Sequence, residues 1–144
     1  MISPEYAAGF FDGEGCVDIP ENSKRNSQRT VRVSLANSDV SILEKFKDQF
    51  GGGIHTQHSN PKWKIGRRLN LRGRKAATFL KFISEFTVVK KKQVDLALEF
   101  WAFHTLGRKI RCVRVGSVDH IKPEVVEKEQ SYRYQIHVLN RKGI

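Results

Sequence analysis

Ser3-Pro4-Glu5-Tyr6-Ala7-Ala8-Gly9-Phe10-Phe11-Asp12-Gly13-Glu14-Gly15 is the stretch that decides how this chain is read. Serine, proline and an acid in succession mark a helix start. The hydroxyl caps a free N–H, the proline presets φ at the first helical position, and the acid sits at the positive end of the helix dipole. A short apolar helix over Pro4 to Gly13 should follow. Gly9 and Gly13 are four residues apart and so share one of its faces. Glycine inside a helix costs about 0.5–1 kcal/mol relative to alanine, and close approach of another backbone is the usual compensation. Asp12 and Glu14 stand at the carboxyl end, where the dipole disfavours negative charge by about 0.3–1 kcal/mol each. They call for a positive partner, and a divalent cation suits hard oxygen donors. If two copies of the helix pack in parallel about a two-fold axis, their Glu14 carboxylates converge and need cations between them.

Downstream, the apolar pattern switches between periods of two and 3.6 residues. Cys16 to Ile19 reads as a strand, and Pro20 to Gln28 as a polar, turn-rich excursion. Thr30 to Ala36 alternates, with Val31, Val33 and Leu35 against Thr30, Arg32 and Ser34. Asp39 caps a second helix whose core face is Ile42, Leu43, Phe46 and Phe50, and Gly51 ends it. Gly52 to His58 and Lys62 to Leu71 suggest another hairpin. In it Trp63, Ile65, Leu69 and Leu71 alternate with polar residues, and a bulge at Gly66 would correct the phase of Arg67. Arg74 to Phe86 and Lys91 to Leu106 read as helices, so the order is α-β-β-α-β-β-α-α. Beyond Gly107, a strand over Ile110 to Val118 and a helix over Pro123 to Asn140 are expected. All 144 residues are taken as one domain, with a core of about 3–106 and an extension over 107–144.

Charge narrows the function. Lys and Arg total 26 against 15 acids, for a net charge of +11. Such a surplus is usually offset by a polyanion, nucleic acid before a membrane surface. The segregation is regional: 49–84 and 22–38 contain no acid, while acids collect in 39–48 and 119–129. That pattern favours a dedicated binding face. Two cysteines, Cys16 and Cys112, suggest no disulfide framework, and the His55/His58 pair is more often structural than a metal site. No run of ~18 apolar residues marks a membrane span, and the start has no basic leader. An intracellular protein without a membrane partner is expected.

Ala7-Ala8-Gly9-Phe10-Phe11-Asp12-Gly13-Glu14-Gly15 resembles the motif of the LAGLIDADG homing endonucleases, with Gly9, Asp12, Gly13, Glu14 and Gly15 all matching. The resemblance extends over roughly Ser3 to Leu106, and Leu139-Asn140-Arg141-Lys142-Gly143 is similar to a frequent C-terminal pattern of the family. It implies an α+β fold, an α-β-β-α-β-β-α core with a saddle of antiparallel strands, assembled as a symmetric homodimer. It implies a Mg²⁺-dependent site-specific DNA endonuclease cutting both strands of a long pseudo-palindromic duplex to leave 3′ overhangs. Mn²⁺ or Ca²⁺ could replace Mg²⁺ for binding.

The resemblance also implies roles. Glu14 is the metal-binding carboxylate, one from each subunit, with help from the Gly13 carbonyl. Asn37, in Asn37-Ser38-Asp39, takes the place of a polar residue that orients water. Lys90, in Lys90-Lys91-Lys92-Gln93, is the active-site lysine, although its two neighbours are alternatives. Ala8, Gly9, Phe10 and Gly13 form the dimer interface. A two-stranded ribbon fits the DNA major groove, and alternation puts Thr30, Arg32, His55, Gln57, Lys64, Arg68, Asn70 and Arg72 on that face. Lys24, Arg25 and Arg29 reach flanking DNA. The same scaffold serves two alternatives, an intron maturase acting on RNA and a non-cleaving DNA-binding regulator. The host compartment (organellar, bacterial or phage-encoded) is left open.

Overall fold

The computed structural model describes residues 1–20, 30–57 and 66–141. Helix α1 (Pro4–Glu14) begins where Ser3 predicts, with the Ser3 hydroxyl accepting from the Tyr6 N–H at 3.2 Å. It runs directly into strand β1 (Gly15–Asp18). Strand β2 (Arg32–Asn37) leads to helix α2 (Val40–Phe50), capped by Asp39 accepting from Ser41 N–H at 2.9 Å. Helix α2 stops at Gly51, whose φ of 87° suits glycine. Strands β3 (Gly53–Gln57) and β4 (Gly66–Arg72) follow, then helices α3 (Arg74–Ile83) and α4 (Lys91–His104).

The four strands form one antiparallel sheet in the order β1-β2-β4-β3. Period-two alternation sorts its faces. Val17, Val33 and Leu71 lie in one cross-strand row, and Leu35, Leu69 and Ile54 in another. All but the half-buried Ile54 are essentially solvent-free, covered by α1 to α4. Phe11, Phe46, Phe79 and Phe100 fill the space between sheet and helices. Each such ring stabilises the fold by roughly 1.5–3 kcal/mol over its exposed state. Edge-to-face contacts of Phe79 with Phe11, Phe46 and Phe50, at 5.9, 6.2 and 5.1 Å, fix their packing.

Three expectations need correction. No bulge is needed at Gly66: β4 pairs regularly from there, and Arg67 does lie on the core side of the count. It is half-buried, and its Nη1 donates to the Thr56 hydroxyl at 3.2 Å. Helix α3 ends at Ile83, not Phe86, and turns thereafter. Ile110 to Val118 is not one strand. It is the short helix α5 (Arg108–Arg111) and a hairpin of β5 (Cys112–Val115) and β6 (Val118–Ile121), reversed through Gly116 at φ 65°.

The expected last helix is α6 (Pro123–Arg141), which packs on α4 and β1. Its Glu129, 1% exposed, accepts from Arg111 Nη2 at 2.7 Å and lies 3.2 Å from His104 Nδ1. At the far end, Asn140 Nδ2 donates to the Val17 carbonyl at 3.0 Å, covering part of the β1 edge. Among the described residues, no helix is long and apolar enough to cross a membrane.

Candidate functional site

The carboxyl end of α1 brings two acids and a lysine together, and their surroundings separate their roles. Asp12 turns back into its own chain. Its carboxylate accepts from the Thr87 hydroxyl at 2.5 Å and from the N–H groups of Val88 at 2.8 Å and Lys90 at 3.1 Å. Burial pushes this carboxyl up, but the bonds from Thr87, Val88, Lys90 and Val89 outweigh burial and hold its pKa below the usual value. Asp12 therefore ties the connection between α3 and α4 to the end of α1. Glu14, the last helical residue, is exposed, as is Gly13 beside it.

Lys90 is placed by the turn that Asp12 holds. Its ammonium donates to the Phe11 carbonyl at 3.2 Å and to the Gly15 carbonyl, next in chain to Glu14. A cation here complements the negative end of the α1 dipole. Lys91 turns away, to the Ser84 carbonyl at 2.5 Å and Asp95 at 3.1 Å, and Lys92 is exposed on the first turn of α4. Of the three lysines, Lys90 is the one whose ammonium reaches the end of α1. Asn37 lies two residues past Leu35, the partner of Gly15, but its Oδ1 accepts from the Asp39 N–H at 2.9 Å. Its carbonyl oxygen is thus engaged in the turn that opens α2.

The three motif glycines face different surroundings. A Cβ on Gly9 or Gly13 would meet nothing within 4 Å, so that face of α1 opens outward, flanked by Tyr6 and half-buried Phe10. A Cβ on Gly15 would collide with its own chain, 2.3 Å from Phe11 Cδ2 and 2.9 Å from the Phe11 carbonyl oxygen. Ala8 corrects the expected interface: it is 1% exposed and packs inward with Ala7 and Phe11. The outward face is Tyr6, Gly9, Phe10 and Gly13, which are the positions a 3.6-residue period puts together.

The sheet face away from the helices carries the expected polar set. Arg32, Arg68, Asn70, Arg72 and His55 lie on it by register, and Thr30 precedes it with its Oγ1 beside Gly73. Gln57 holds its strand position opposite Gly66, its side chain outside the described residues. Lys24, Arg25, Arg29 and Lys64 also lie outside the described residues. Ser34 donates to Asn70 Oδ1 at 2.8 Å. A hollow of about 420 Å³ at one end is lined by Gly52, His55, Asn70, Arg72, Arg74 and Lys75. Arg74 and Lys75 extend the basic face beyond the strands. They open α3, a helix-start pattern that hides their position beside the sheet. Asp18, the remaining unexpected member, accepts from Arg32 Nε at 2.9 Å and Nη2 at 2.6 Å.

Among the described residues, no group of three or more His, Cys, Asp or Glu side chains lies close enough to hold a metal ion. One chain offers Glu14 alone, an exposed carboxylate with hard oxygens and room beside it. Such a donor fits a divalent cation only when other oxygens complete the shell.

Comparison with known proteins agrees with this layout. The family model described as LAGLIDADG endonuclease matches residues 7–101. No curated protein matches the chain. Among solved structures, the archaeal intron-encoded homing endonuclease I-Vdi141I complexed with DNA superposes with a TM-score of 0.72. It is 17% identical, over 94% of this chain and 82% of that one. The homing endonuclease I-TnaI gives a TM-score of 0.68 at 18% identity, over 97% and 95%. The LAGLIDADG meganuclease I-AabMI bound to uncleaved DNA gives 0.66 at 22%, over 95% of this chain and 45% of that one. With residues 7–101, about two thirds of its length, matched by the family model, this chain belongs to the LAGLIDADG endonuclease family.

Proposed function

We propose that the chain acts as a homodimeric, site-specific DNA endonuclease. The observation that carries the reading is at α1: an exposed Glu14 at the end of a helix whose Gly9–Gly13 face is open to solvent. Two such faces packed about a two-fold axis form an isologous interface and set two Glu14 carboxylates side by side. This fold also matches 45% of the longer I-AabMI chain, which leaves room there for a second unit of this size.

In the assembled site, Glu14 and the Gly13 carbonyl of each subunit would hold divalent cations, Mg²⁺ by preference. When bound, such cations lower the pKa of water and offset charge at the phosphodiester. The chain's residues do the rest. Asp12 fixes the turn that carries Lys90, and Lys90 places a positive charge beside the scissile phosphate. Asn37 orients water from the sheet's end. Arg32, Arg68, Asn70 and Arg72, with His55 and Thr30, face the major groove. Arg74 and Lys75 hold the backbone beside it. Phosphate contacts set the register, and base-edge contacts choose the sequence.

The test is to incubate the protein and Mg²⁺ with a pool of randomised duplexes and sequence the ends produced. Cutting at one roughly palindromic site with short 3′ overhangs supports the proposal. Enrichment of bound duplex without any cut product, or preference for structured RNA over duplex, refutes it.

A further inference from the structure

On a surface built to meet a polyanion, an acid is out of place. The row Asp18, Arg32, Arg72 runs across β1, β2 and β4, one step from the buried row Val17, Val33, Leu71. It therefore points away from the helices. Among the described strand residues of that face, Asp18 is the one acid. Facing DNA, its charge opposes every phosphate nearby and weakens binding to all sequences alike.

The contacts of Asp18 show what it does instead. Both of its oxygens are engaged, by Nε and Nη2 on one edge of the Arg32 guanidinium. A guanidinium has five N–H donors, and this edge uses two of them. The far edge, formed by Nη1 and the second Nη2 hydrogen, is bonded to none of the described residues. Both side chains are about one-third exposed, so the pair is reachable from solvent. Arg72 stands opposite Arg32 on the other side, and like charges in one row repel. Asp18 draws Arg32 towards β1 and fixes its plane.

We infer that Asp18 is a positioning residue for sequence reading: it holds Arg32 edge-on so that the free fork meets the O6 and N7 acceptors of a guanine. An unheld arginine swings between bases and phosphates, which raises affinity everywhere and discrimination nowhere. A held one gives up general affinity for recognition of one base pair, and a two-fold dimer repeats that base pair in each half-site. This inference rests on the proposed DNA-binding function.

The experiment is binding-site selection from a randomised duplex pool with Ca²⁺, using the full chain and its Asp18→Asn, Asp18→Glu and Arg32→Ala variants. Thermal unfolding confirms that each is folded. The wild type should prefer guanine at one symmetric pair of positions by about tenfold or more. Arg32→Ala should lose that preference. Asp18→Asn should reduce it several-fold at those positions only, while binding to unrelated duplex stays equal or strengthens. Asp18→Glu should restore part of it. If Asp18→Asn leaves the base preferences unchanged, or weakens all sequences equally, Asp18 has no such role. If the wild type enriches no sequence at all, the DNA-reading function fails and takes this inference with it.

Discussion

Replacing Asp12 with alanine separates the duties of the two motif acids. The shorter hydrogen bonds that Asp12 accepts, at 2.5, 2.8 and 3.1 Å, come from the Thr87 hydroxyl and the N–H groups of Val88 and Lys90. A hydrogen bond to a charged group contributes about 1.5–3 kcal/mol, and bonds sharing one acceptor are not additive. Asp12 is also partly exposed, which discounts each bond. The substitution should therefore cost about 2–4 kcal/mol, part of it from the Thr87 hydroxyl left without its partner at 5% exposure. Glu14→Gln should stay within about 0.5 kcal/mol of wild type, as an exposed substitution does. Urea denaturation at neutral pH measures both. The pH dependence adds a sign. The pKa of Asp12 is lowered by folding, so its contribution is complete above the unfolded value and fades as pH falls through the folded one. The gap between wild type and Asp12→Asn should thus narrow below about pH 4. A loss under about 0.5 kcal/mol for Asp12→Ala, or a loss equal to that of Glu14→Gln, refutes the division of labour.

Gly9→Ala should stabilise the isolated chain by about 0.5–1 kcal/mol, because a Cβ there meets nothing and alanine favours helix. The same change should weaken the dimer and Gly9→Leu should abolish it, read by sedimentation; an unshifted dimer constant for Gly9→Leu contradicts the proposed interface. Glu129→Ala should lower stability by about 3–5 kcal/mol, since Arg111 is left buried without its counter-charge. A loss under ~1 kcal/mol in denaturation would show that the C-terminal extension does not depend on this cluster. Lys90→Met should slow cleavage by about 10²-fold or more and Lys92→Met far less; single-turnover rates in the reverse order move the active-site role to Lys92.

Local signals carried most of the core, because the caps at Ser3 and Asp39 and the alternation in β2 and β4 act within a few residues. The bulge expected at Gly66 does not place Arg67, which keeps the phase of Leu69 and Leu71 and ends half-buried. The β5–β6 hairpin had a signal of its own: Gly116-Ser117 between Val115 and Val118 is a two-residue turn in an otherwise strand-like run. The resemblance puts Ala8 beside Gly9 in the interface, yet adjacent helical residues differ by about 100° in direction, and only Gly9 faces out. In the proposed site, the placing of Glu14 and Lys90 at the end of α1 was legible from the family resemblance. The inward turn of Asp12 and the pairing of Asp18 with Arg32 were not. Each joins residues whose meeting depends on the folded chain, across 75 positions for Asp12 and Thr87.

The most direct measurement is single-turnover cleavage of the selected duplex by wild type and Glu14→Gln, each saturating the DNA in Mg²⁺. Wild type should cut both strands, while Glu14→Gln binds within a few-fold as tightly and cuts at least ~10²-fold more slowly. Undiminished cutting by Glu14→Gln contradicts a reaction centred on the end of α1.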